Sequence, residues 1–152
     1  MRRQLLAGAL AGAAGTTALN AVTYLDMALR GRPSSDLPEK AVERTASSVG
    51  IEIPGDEEIR SNRIAGLAPL MGLATGVGIG TVYGVVAGLI GRPHLAVAGV
   101  LVGVGAMAGT DLSMVRMGLT DPRTWGLAGW LSDLVPHLAY GYVTAVTFEL
   151  AS

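Results

Sequence analysis

Five glycines stand four residues apart in one apolar segment, at Gly72, Gly76, Gly80, Gly84 and Gly88. A glycine inside a water-exposed helix costs about 1 kcal/mol relative to alanine, so a run of five argues against a soluble helix. In lipid, unsatisfied backbone groups enforce helix formation, and small residues at four-residue spacing let a neighbouring backbone come close. Steps of four advance 400°, so the ladder drifts about 40° per glycine and winds across about 160° in about 24 Å. It forms a groove of the glycine-zipper kind, suited to a right-handed crossing near about −40°. Such a groove can receive Gly8 and Gly12, Gly99 and Gly103, or a second copy of itself.

The surrounding composition fits that setting. Half of the 152 residues are hydrophobic, only 15% are charged, and mean hydropathy is +0.47, whereas ordinary soluble domains carry about a quarter charged residues. A hydrocarbon core of about 30 Å needs about 20 apolar helical residues, and segments 5–29, 64–90, 95–115 and 125–150 meet that length. The expected fold is therefore all-α, a polytopic membrane protein forming one four-helix domain over residues 1–152. Its single sizeable extramembrane region is 30–63. A net charge of −1 offers no nucleic-acid footprint. The absence of cysteine removes thiol nucleophiles, thiolate metal sites and disulfides.

Four spans place both termini on one side. Arg2, Arg3 and Arg92 flank the spans there, against Arg30, Arg32, Lys40, Arg44, Arg60, Arg63, Arg116 and Arg123 on the other side. The excess of basic residues points the loops 30–63 and 116–124 toward the cytoplasm and the termini outward, although Arg2-Arg3 pulls the other way. The start also resembles a twin-arginine export signal, but the apolar run continues to Leu29 and three further spans follow, so an uncleaved helix is expected. Ten of the eleven basic residues are arginine. With the Ala/Gly richness, this points to a GC-rich bacterial genome.

Within the loop, Leu37, Ala41, Val42, Thr45 and Val49 recur at helical spacing between charged residues, predicting a short amphipathic interfacial helix. Pro38 suits a first turn, and Ser35 or Asp36 can cap it. After the Ile53-Pro54-Gly55 turn, Asp56 is positioned to cap a helix that runs through Glu57 and Arg63 into the second span. The loop is either a solvated charged connection or a docking surface for a membrane-protein partner.

Ionisable groups inside spans must face protein or water. Asp133, His137, Tyr140, Thr144 and Thr147 follow i, i+4, i+7, i+11 and i+14, sharing one helical face, and Pro136 between the first two frees a backbone carbonyl. Thr16, Asn20, Thr23, Asp26 and Arg30 form an inward-pointing stripe on the first span. Asp111 lies in a third polar cluster with Thr110, Ser113 and Arg116. Asp111 is expected to meet His137 or Asn20, or Arg116 of a neighbouring subunit. These stripes serve either interhelical hydrogen bonding or a proton or ion relay through Asp133, His137 and Asp111. One histidine with two carboxylates is thin ligation for a metal, and no cofactor is expected. Trp125, Trp130, Tyr24 and Tyr142 suit interface anchoring. No Gly-x-Ser-x-Gly elbow, HExxH pair or phosphate loop is present, so no enzyme is expected.

The run Leu95 to Gly109, then Met117-Gly118-Leu119-Thr120, Pro122, Trp125, Ser132 and His137-Leu138, resembles the C-terminal part of YagU-like small bacterial inner-membrane proteins. The resemblance covers about the last third of the chain. It implies a bacterial cytoplasmic membrane protein and brings no reaction or ligand with it. Two expectations for function follow. One is a non-catalytic bundle with a structural or assembly role, held by glycine-mediated packing and working in the bilayer with a membrane-protein partner or as a homo-oligomer. The other is an oligomeric proton, ion or small-solute channel or transporter that uses the Asp/His face.

Overall fold

The computed structural model describes residues 1–152 and contains only helices: α1 (Arg2–Arg30), α2 (Leu37–Ser48), α3 (Glu57–Ile90), α4 (Leu95–Arg116), α5 (Leu127–Ala151), and one 3-10 turn at Pro122–Thr124. Three of them, α1, α3 and α4, are long and apolar enough to cross a membrane. The fourth segment expected to do so forms α5, but its polar residues set it apart from the other three. α5 occupies the middle of the bundle, packed along α1 on one side and α4 on the other. Neighbouring helices thus flank it on two sides.

Local signals account for the helix ends. Asp56 accepts from the Ile59 amide at 2.9 Å and opens α3, with Glu57 and Glu58 in the first turn where the helix dipole favours acids. Ser35 accepts from the Leu37 amide at 3.2 Å ahead of α2, and Pro38 lies in its first turn. Asp36, the alternative cap, instead pairs with Lys40 at 2.6 Å. Gly31 follows α1 in the left-handed conformation, with φ 62°, a geometry that favours glycine. α5 starts at Leu127, two residues beyond the expected start of the fourth span, because Asp121-Pro122 forms the 3-10 turn and holds Trp125 outside the helix. Trp125 donates to Thr120 Oγ1 at 3.0 Å and meets Trp130 edge-on.

Two glycine-lined crossings hold the bundle. At the first, a Cβ on Gly8 would lie 2.6 Å from the Gly80 carbonyl oxygen, and one on Gly12 would overlap the Gly76 carbonyl oxygen. The ladder groove therefore receives α1. Gly84 continues the contact to the Gln4 backbone and Gly88 to the Gln4 side chain, while Gly72 has open space around it and takes no part. At the second crossing, Gly99 and Gly103 of α4 meet α5, where Gly141 lies against the Gly103 backbone, at 2.7 Å from a built Cβ to the Gly103 Cα. Gly141 belongs to no sequence ladder. Its role is visible only from its neighbours.

The loop 30–63 is ordered. Ala41 and Val42 of α2 are buried, and Val42 packs with Ile64 and Ala68 of α3, flanked by Ile53 and Met71. A Glu43–Arg60 pair at 2.6 Å bridges the two helices, and its exposure limits its worth to about 0–1 kcal/mol.

Candidate functional site

The polar residues of the helices divide into three groups at different depths. The first lies where α1 ends. Asp26 accepts from Arg30 at 3.2 Å and from Arg32 at 2.5 Å, and Ser132 of α5 accepts from Arg30 at 2.8 Å. Ser132 also donates to Asp26 at 3.4 Å. Asp26 is thus a fastening between α1 and α5 at the loop end, separate from the deeper residues with which the sequence grouped it.

The second group is the Asp/His cluster. His137 Nδ1 lies 2.9 Å from the Asp133 carbonyl oxygen and 3.3 Å from Asp133 Oδ1, one helical turn back. A proton on Nδ1 suits both acceptors. Asp111 comes from α4 and lies near Asp133 and His137. At 1.5 Å per residue, Asp133 lies about 9 Å and His137 about 15 Å along the axis from Leu127. The glycine crossing explains the meeting: with Gly103 against the His137 backbone and Gly99 against Tyr142, α4 comes close enough for a short aspartate to reach across. Asp133 Oδ2 is buried and has no donor. The three residues do not form a group that could hold a metal ion.

The third group belongs to the glycine crossing. Tyr140, expected beside Asp133 and His137, instead turns to the other side and donates to the Gly76 carbonyl oxygen at 2.6 Å. It is buried against α1 and α3. Thr144 is also fully buried, its hydroxyl facing the space where Gly15 lacks a side chain. Gly15 and Thr16, which the glycine pattern did not mark, complete this contact. Thr16 donates to the Gly12 carbonyl oxygen at 2.8 Å and fills the space beside Gly76.

Asn20 departs from expectation. It is exposed on α1, and its side chain makes no hydrogen bond to Asp111. The 40° drift between fourth neighbours explains this. Thr16 faces the crossing, but Asn20 has already rotated toward its exposed edge. Within the single chain Arg116 is exposed and forms no ion pair with Asp111, while the expectation concerned Arg116 of a neighbouring subunit.

No family model, curated protein or solved structure matches this chain.

Proposed function

We propose that the chain is a non-catalytic integral membrane protein with a structural or assembly role. In this reading α5 is the fourth span, the bundle is a glycine-zipped unit, and residues 30–63 form the surface offered to a membrane-protein partner. The observation that carries the reading is the docking of α2 on the loop end of the second span, through Val42 of α2 and Ile64 and Ala68 of α3. The apolar seam and the bridging ion pair fix α2 in one position, which a connection needed only to join two spans does not require. The docked helix leaves Glu39, Arg44 and Ser47 exposed on an ordered face. The resemblance of the last third to YagU-like proteins supports a bacterial inner membrane as the site. Photocrosslinking from position 44 in native membranes tests the role. A discrete adduct that disappears in a Val42→Asp variant supports it, and no adduct other than lipid counts against it.

A second reading, an oligomeric proton or ion pathway, is favoured by one observation, the buried Asp133 Oδ2 that lacks a donor beside Asp111 and His137. Protonatable groups paired across two helices are the usual material of intramembrane relays. Proton flux into proteoliposomes that vanishes in Asp133→Asn while helicity persists supports it. Wild-type protein that moves neither protons nor common cations rules it out.

A further inference from the structure

α3 and α4 are joined by the short turn Gly91–His94 yet scarcely touch, since α3 is held against α1 and α4 against α5. Between them runs a groove of about 300 Å³, lined by hydrocarbon, with Ile79, Val82 and Val86 on one wall and Ala98, Leu101 and Val102 on the other. From Ile79 to Ile90 it extends about 16 Å along α3. That is close to the depth of one leaflet of a hydrocarbon core about 30 Å thick. At the turn it is lined by Gly91 and Pro93, the residues on either side of Arg92.

Arg92 is placed by its neighbours. Its guanidinium carbon lies 5.2 Å above the Phe148 ring, and Phe148 meets the groove-lining Tyr83 edge-on at 5.1 Å. Stacking on one face leaves the N–H fork free at the edge, and no carboxylate pairs with it. Arg2 and Arg3 stand at the same end of the bundle, with Glu149 the one acid there. A one-leaflet apolar groove with an unpaired, pre-oriented guanidinium at its mouth matches a lipid with an anionic phosphate headgroup, the pattern of basic pockets between membrane helices.

We propose that the α3–α4 groove is a binding site for an anionic phospholipid, one acyl chain lying between Val82 and Leu101 and the phosphate meeting Arg92. The site rests on the chain spanning a membrane, which resistance to alkaline extraction tests separately. It does not depend on an assembly role or on ion transport. The test is native mass spectrometry of purified full-length protein released from micelles containing equal phosphatidylglycerol and phosphatidylcholine. Wild type retains phosphatidylglycerol preferentially, and Arg92→Gln weakens that retention about fivefold, the effect of one basic residue at an anionic surface. Leu101→Phe, which fills the groove, reduces retention without changing helicity. Equal retention of the two lipids by wild type overturns the proposal without need of any variant. So does unchanged retention in a folded Arg92→Gln protein. The chain has no native cysteine, so Leu101→Cys supplies a further check: an efficient disulfide dimer in membranes would place a second copy in the groove and overturn the lipid assignment.

Discussion

At the scale of single residues, the five ladder glycines have different duties. Gly80 has backbone on every near side, with a built Cβ 2.5 Å from the Gly12 Cα and 2.6 Å from the Gly8 carbonyl oxygen. Backbone cannot rotate away as a side chain can. Gly80→Ala is therefore expected to lower unfolding stability in detergent by about 1–3 kcal/mol, as overpacking does. Gly72→Ala and Gly78→Ala, with nothing within reach, should leave the unfolding midpoint unchanged or slightly raised. A uniform loss across all three would show that backbone approach is not the cause. The Asp111–Asp133 contact allows an equally specific comparison. Asp111→Asn can donate an amide hydrogen to the orphan Asp133 oxygen and should preserve stability. Asp111→Ala supplies no donor to that oxygen and should therefore be the less stable of the two variants, by about 1–3 kcal/mol in the same assay. The i, i+4 spacing of Asp133 and His137 made their contact legible in the sequence. Tyr140 shares nearly that face but serves another neighbour, because the two sides of one narrow stripe touch different helices.

At the scale of elements, α2 and the start of α3 were readable because their signals are local: a capping serine or aspartate, an early proline, apolar residues three and four apart. Their docking is a tertiary event. Val42→Ala should cost about 1–3 kcal/mol, the worth of one buried aliphatic side chain. It should also speed proteolysis near Gly50 and Gly55 while the remaining helices stay protected, as limited digestion followed by mass spectrometry would show. At the head of α2, the Lys40 ammonium holds the Asp36 carboxyl below its ordinary value of 3.8. A depressed carboxylate stabilises the fold above its unfolded pKa and loses that contribution as pH falls through the folded one. The Asp36–Lys40 pair is therefore intact at neutral pH and weakens only below about pH 4. In an NMR titration, Lys40→Ala should return Asp36 upward toward the ordinary value, and an unchanged midpoint would refute the pairing.

At the scale of the whole molecule, the connectivity of contacts is not the order of the chain. α1 packs on α3 and α5, and α5 on α4, while the hairpin partners α3 and α4 stay apart and leave the groove. Each contacting pair runs antiparallel, as Gly8–Gly80 with Gly12–Gly76 and Asp26–Ser132 with Gly15–Thr144 demonstrate. With α5 as a fourth span, Thr120 and Ala151 lie on opposite faces of the membrane. Single cysteines at these positions should react with an impermeant maleimide from opposite sides of oriented vesicles. Labelling of both from one side would remove α5 from the set of spans. Because Gly76, Gly80 and Gly84 are occupied within the chain, self-association must use other surfaces. Gly80→Leu should accordingly unfold the protein in detergent, whereas a ladder used only between copies would yield folded monomers.

The sequence by itself determined that the chain is helical, with long apolar segments, an amphipathic helix between the first two, and helix starts set by Asp56 and by Ser35 or Asp36. Those properties follow from residues within a few positions of one another, through hydropathy, periodicity and capping. Only the tertiary structure decided which helix enters the glycine groove, that Gly141 and Gly15 make equally close contacts, that Asp111 faces Asp133 while Asn20 stays exposed, and that α3 and α4 separate. A glycine records that something can approach without recording what. Likewise, a polar residue needs a partner but does not specify which helix supplies it. The answers depend on how each helix is rotated about its axis, and that rotation is set jointly by all the neighbours.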